Sequence, residues 1–255
     1  MSNPHFSLTD KVALVTGSRQ GIGRTIALAF AEAGADVAVC DLVADDGQLQ
    51  AVAQEIQKLG RRALTVKADT SQKTDVDHLV QKVMDEYGRI DILLNNAGIL
   101  IRSSILDMSE KDWDKLFNVD LKGYFLCAQA VGKKMVERKK GVIINITSQY
   151  AYKVTPGMGP YATVKTGIVM LTRGLAQELG KFGIRANAIA PSIVKTDFSR
   201  PSWSDPQNLR QIEASIPLGR IAETSDLVGA ALFLASDASS YITGHTILVD
   251  GGTLA

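Results

Sequence analysis

Tyr161 and Lys165 stand four residues apart in Pro160-Tyr161-Ala162-Thr163-Val164-Lys165. If that stretch is helical, phenol and amine share one face about a turn apart. An ammonium beside a phenol favours the phenolate and lowers its pKa from the ordinary value of about 10 toward working pH. Tyr161 could then serve as general acid toward a ketone and as general base toward an alcohol. A second constellation, Gly17-Ser18-Arg19-Gln20-Gly21-Ile22-Gly23, follows the apolar run Val12-Ala13-Leu14-Val15-Thr16 and precedes a helical pattern. Glycines there let backbone amides close on a pyrophosphate, and a helix N-terminus adds free N–H groups and a favourable dipole. The spacing is Gly-x3-Gly-x-Gly, not the plain dinucleotide fingerprint. Its place between a first strand and a first helix is what makes it a dinucleotide loop rather than a turn.

Asp41 closes the second strand pattern, 20 positions after Gly21. A carboxylate there accepts hydrogen bonds from the hydroxyls of an adenosine ribose. A 2′-phosphate in the same place would meet a like charge. At ~4 Å and an effective dielectric of about 20, that repulsion is on the order of a few kcal/mol. NAD is therefore expected over NADP, although the Arg19 guanidinium could hold a 2′-phosphate.

These residues need a scaffold. Short β-branched runs at 12–16, 36–41, 63–68, 90–95, 142–147, 185–190 and 246–249 alternate with helical periods at 22–32, 45–59, 72–87, 110–136, 161–181 and 224–234. That alternation predicts one doubly wound (Rossmann) α/β domain over residues 1–255, with a parallel sheet of about seven strands and helices on both faces. Runs such as Val142-Ile143-Ile144 and Ile92-Leu93-Leu94 are apolar on both sides, as a sheet covered on each face requires. Thr224-Ser225-Asp226 supplies N-cap chemistry for the last helix. Residues 191–217 have no clear period and carry several prolines and Trp203. A loop of that length inside a domain predicts a substrate-covering lid.

Taken together, Thr16-Gly17-x3-Gly21-Ile22-Gly23, Asn95-Asn96-Ala97-Gly98, and Ser148 thirteen positions before Tyr161-x3-Lys165 resemble the short-chain dehydrogenase/reductase family in its shorter form. The likeness runs nearly the whole chain, to Thr243-Gly244 and Asp250-Gly251-Gly252. It implies that Tyr161 donates or accepts the proton, and that Lys165 lowers its pKa and holds the nicotinamide ribose. It implies that Ser148 binds the reacting oxygen, and that Asn118 helps hold a water relaying protons to Lys165. Asn118 could equally brace a helix kink. By the same resemblance Asn95, Ala97 and Gly98 sit by the cofactor, Asp69 and Thr70 near adenine, and Pro191, Ile193, Val194 and Thr196 along the nicotinamide half. Asn95 equally suits pinning neighbouring strands. Three positions depart from the family pattern. Pro191-Ser192 stands for Pro-Gly, Thr147-Ser148 for Ser-Ser, and Gln20 for the basic residue that often precedes the middle glycine in NADP users.

Gln149, Tyr150 and Tyr152, with Ile193, Val194, Phe198 and Trp203 of the long loop, are expected round the substrate, a mixed set that suits a compact hydroxylated molecule or small ring. The resemblance extends both to sugar, polyol and sugar-acid dehydrogenases and to 3-oxoacyl-thioester reductases. The expected activity is NAD-dependent hydride transfer between nicotinamide and a secondary alcohol or its ketone. An NADPH-dependent 3-oxoacyl-thioester reductase is the alternative. A nucleotide sensor without turnover is a third reading, but it should have lost one of Asn118, Ser148, Tyr161 or Lys165. The two long helices at 110–136 and 161–181 could supply the faces of a homotetramer.

Composition narrows the partners. A formal net charge of +1 offers no electrostatic attraction for nucleic acid or an anionic membrane. No apolar run approaches the roughly 20 residues of a membrane span, and residues 1–10 lack a basic-then-apolar leader, so a cytoplasmic setting is expected. Cys40 and Cys127 fall in strand and helix patterns and read as core residues. His5, His78 and His245 stand singly, so no catalytic metal is expected.

Overall fold

The β-branched runs form seven strands: β1 Val12–Thr16, β2 Asp36–Asp41, β3 Ala63–Lys67, β4 Ile92–Asn95, β5 Gly141–Ile146, β6 Ile184–Pro191 and β7 Thr246–Val249. The computed structural model describes residues 6–255, so His5 lies outside the described residues. All strands pair in parallel, in the order β3-β2-β1-β4-β5-β6-β7. The order reverses between β1 and β4, and such a switch opens a crevice at the carboxyl ends of those strands. Helices α1 Gly21–Glu32, α2 Gln48–Lys58, α3 Lys73–Tyr87, α4 Glu110–Phe117, α5 Gly123–Arg138 and α6 Gly159–Leu179 follow in turn.

Alternate side chains of one strand enter opposite cores, because successive Cβ atoms point to opposite faces. Ala13 and Val15 join Phe30, Ile26, Val52 and Ile56 on one side. Val12 and Leu14 join Val76, Leu79, Val131 and Met135 on the other. Cys40 and Cys127 are buried free thiols in that second core. No helix among the described residues is long and apolar enough to cross a membrane.

Three elements differ from the sequence expectation. The helix expected at 110–136 is broken by a π-helical turn, Asn118–Lys122, between α4 and α5. One extra residue per hydrogen-bonded ring rotates the chain there, and the turn buries Asp120 completely. Residues 191–217 are not irregular throughout. Asp205 caps α8 Pro206–Ala214 by accepting from Gln207 N, with Pro206 at its start, and α7 Arg200–Trp203 precedes it. The last helix starts later than expected: Thr224–Leu227 is a 3₁₀ turn capped by Glu223 and Asp226, and α9 spans Val228–Ala235.

Candidate active site

The crevice at the β1/β4 switch is a cavity of about 1060 Å³. At one end α1 begins at Gly21, with no side-chain cap from Gln20 before it and no acid in its first turn. Its first amides are thus left without side-chain partners beside a wall that includes Gly17, Arg19, Gln20, Gly21 and Ile22. Gly17 has φ +62°, and a Cβ on it would lie 2.7 Å from Ala97 Cα. The loop is therefore closed down on the β4 end, and Asn96 Nδ2 locks it by donating to Thr16 O at 3.0 Å and Gly17 O at 2.8 Å. Gly23 stands behind this wall rather than in it; its Cβ would strike Gly17 O at 2.3 Å. A bare, uncapped helix start facing a cavity fits a pyrophosphate, so these residues suit a dinucleotide.

Asp41 lies at the rim of the same cavity. Its Oδ1 accepts from Val43 N at 3.0 Å and its Oδ2 from Arg19 N at 3.4 Å. The Arg19 side chain is taken up by acids: Nη1 is 2.6 Å from Asp46 Oδ2 and Nε 3.8 Å from Asp41 Oδ1. Asp46 carried no signal in the sequence. Asp69, Thr70, Ala97 and Gly98 line the cavity as well, and Asp69 Oδ1 accepts from Ser71 N and Oγ at 2.9 and 2.7 Å. Pro191, Ile193, Val194, Thr196, Phe198 and Trp203 line the cavity too. Trp203 Nε1 donates to Thr196 O at 3.2 Å, which ties α7 back to the wall.

Tyr161 falls in the first turn of α6 and Lys165 one turn on, both buried and both facing the cavity. Lys165 Nζ is 5.4 Å from the Tyr161 ring centroid and 5.5 Å from that of Tyr124. Thr147 Oγ1 donates to Lys165 O at 2.7 Å, fastening the end of β5 to this helix. Ser148 Oγ accepts from Tyr150 N at 3.2 Å, which leaves its own proton free to donate. Asn118 and Tyr150 share the wall.

The ionisation of Tyr161 does not follow the sequence expectation. Burial pushes the phenol above its ordinary value, and Asp120 and Tyr150 push the same way. Lys165 and Ser148 do pull it down, but the desolvation they work against is larger. The lysine itself is held protonated, its pKa raised by Tyr124, Tyr161 and Asp120 against the effect of burial.

The group that reaches Lys165 is Asp120, two residues after Asn118 on the π turn. Its Oδ2 is 3.0 Å from Nζ. Residue spacing on a continuous helix could not have singled it out. Three other expected residues point elsewhere. Asn95 is buried in the sheet, where Nδ2 donates to Asn145 Oδ1 at 2.9 Å and to Tyr124 O at 3.4 Å; its neighbour Asn96 faces the cavity instead. Gln149 is buried outside the cavity wall, and Tyr152 is half exposed and also outside it. Arg102 joins the wall from the segment after β4, donating to Ser202 Oγ at 2.6 Å. Among the described residues no group of three or more His, Cys, Asp or Glu could hold a metal ion.

A family model described as Enoyl-(Acyl carrier protein) reductase matches residues 17–253. The chain is 42% identical to the (2S)-[(R)-hydroxy(phenyl)methyl]succinyl-CoA dehydrogenase subunit BbsD of Thauera aromatica, over 97% of this chain and 98% of that one. It is 39% identical to the 2-dehydro-3-deoxy-D-gluconate 5-dehydrogenase of Escherichia coli K12, over 98% of each. A gluconate 5-dehydrogenase from Burkholderia cenocepacia J2315, solved in complex with NADP and tartrate, superposes with a TM-score of 0.93 at 36% identity, covering 98% of this chain and 97% of that one. The chain belongs to the short-chain dehydrogenase/reductase family, oxidoreductases that work with a nicotinamide cofactor.

Proposed function

We propose that this enzyme interconverts a secondary alcohol and its ketone on a substrate that carries a carboxylate, a sugar acid or related hydroxy acid, with NAD preferred. One observation carries the reading: Ser148, Tyr161 and Lys165 converge on the cavity whose other end is the uncapped start of α1. In reduction, Ser148 and Tyr161 donate hydrogen bonds to the carbonyl oxygen and stabilise the charge growing there, and Tyr161 then yields its proton to it. In oxidation the Tyr161 phenolate takes the alcohol proton. The nicotinamide, when bound, supplies or accepts the hydride. Lys165 keeps a positive charge beside the phenol, and Asn118 belongs to the same proton path.

Arg102 supports the anionic substrate. It lies in the cavity wall, and among the described residues its polar partner is the neutral Ser202 hydroxyl. The Escherichia coli relative named for a deoxygluconate and the solved gluconate dehydrogenase, found with a tartrate, suit the same reading. For the cofactor, Asp41 sets a negative charge where a 2′-phosphate would go, and Asp46 occupies the guanidinium that could have bound it. The solved relative was found with NADP, so the proposed preference rests on these side chains alone.

Residues 191–217 are assigned as the element that closes over the substrate, with Phe198 and Trp203 facing it. A homotetramer would bury Phe125 on α5 and Met170 on α6, both large and exposed. A cytoplasmic setting completes the reading. The deciding experiment is a panel of hydroxy acids, polyols, cyclic alcohols and 3-oxoacyl thioesters with both cofactors, following nicotinamide absorbance. Turnover of hydroxy acids that Tyr161→Phe lowers by roughly 10²–10⁴ in kcat is expected. Cofactor binding without turnover of any substrate class would leave a sensor instead.

A further inference from the structure

We infer that Asp120 is a positioning residue that acts through Lys165: its carboxylate holds the ammonium in place and keeps a negative charge close enough to govern when Tyr161 ionises. The inference rests on the Tyr161–Lys165 reading above and adds a residue to it. Asp120 is fully buried, and so, nearly, is Lys165. Oδ1 accepts from Ile99 N at 2.7 Å, which sets the carboxylate's angle, and Oδ2 faces Nζ at 3.0 Å with no hydrogen-bond partner apart from this ion pair. The space is made for it: a Cβ on Gly98 would lie 2.9 Å from Oδ2. A buried carboxylate whose second oxygen meets nothing but an ammonium has that ammonium as its compensation.

Three neighbouring elements contribute titratable or hydroxyl groups round the pair. Helix α6 brings Lys165 and Tyr161, α5 brings Tyr124 and Cys127, and the turn after β5 brings Ser148 and Tyr150. Lys165 and Asp120 are the two charges among them. With Asp120 present, Tyr161 feels an ion pair and not a lone cation, so the phenol stays protonated to higher pH. An asparagine of the same shape would keep the hydrogen bond from Ile99 N and remove the charge. Lys165 would then act on Tyr161 as an unopposed cation.

The test is a pH titration of tyrosinate absorbance on the cofactor-free protein, taken as the difference between each form and its Tyr161→Phe counterpart. The pH dependence of kcat for alcohol oxidation is followed in parallel. Asp120→Asn is expected to move both midpoints down by about one unit. A midpoint that stays or rises overturns the inference. If Asp120→Asn does not fold, the double variant Asp120→Asn/Lys165→Met, which removes both charges, is expected to fold; its failure to do so also overturns the inference. Should Tyr161→Phe itself keep full turnover, the fault lies in the underlying functional reading. A dead Tyr161→Phe with an unmoved Asp120→Asn midpoint rejects the role of Asp120 alone.

Discussion

Arg19 Nη1 lies 2.6 Å from Asp46 Oδ2, so the guanidinium beside Asp41 in the cavity wall is already engaged by an acid. The pair is partly exposed, which keeps its own strength modest. Its consequence is for recognition: binding a 2′-phosphate would mean breaking it beside Asp41. Asp41→Asn is expected to shift the ratio of kcat/KM for NADH over NADPH toward NADPH by about tenfold or more, since one removed like charge is worth a few kcal/mol there. Asp46→Ala should move the ratio the same way by releasing Arg19, and should lose that effect in an Arg19→Ala background. Steady-state kinetics with both cofactors measures all four forms.

Arg102 offers the second test. Removing a charge-assisted hydrogen bond costs about 1.5–3 kcal/mol, which is roughly 10- to 100-fold in KM. Arg102→Ala should raise KM by that amount for hydroxy acids while leaving neutral secondary alcohols nearly unaffected. An equal loss on both classes would remove the carboxylate from the substrate description.

The raised pKa of Tyr161 fixes the sign of a pH effect. A phenol above its ordinary value remains protonated through neutral pH, the form needed to reduce a ketone. Oxidation needs the phenolate, so kcat for oxidation should climb as pH rises from neutral into the alkaline range. Reduction should hold steady over the same span and fall only where the phenol finally ionises. Paired pH–rate profiles in the two directions check this.

Asn95 was a candidate for the cofactor and is found bonded across strands to Asn145, whose Nδ2 in turn donates to Thr172 Oγ1 at 2.9 Å. Asn95→Ala strands a buried acceptor, and should destabilise the fold by about 1–3 kcal/mol in urea unfolding. KM for the cofactor should stay within about twofold.

The residues themselves decided the architecture. Alternating β-branched and helical periods, with strands apolar on both faces, leave a covered parallel sheet as the arrangement that buries them, and it formed with strand ends shifted by a residue or two. The four-residue step from Tyr161 to Lys165 and the glycine loop before α1 were legible for the same reason: both depend on local geometry within one element. Through-space facts were not. A π turn put Asp120 against Lys165, strand twist and pairing turned Asn95 inward and Asn96 to the cavity, and a loop brought Asp46 to Arg19. The ionisation of Tyr161 came out opposite to its neighbour's pull, because desolvation depends on everything packed around the ring, and sequence spacing counts only the lysine.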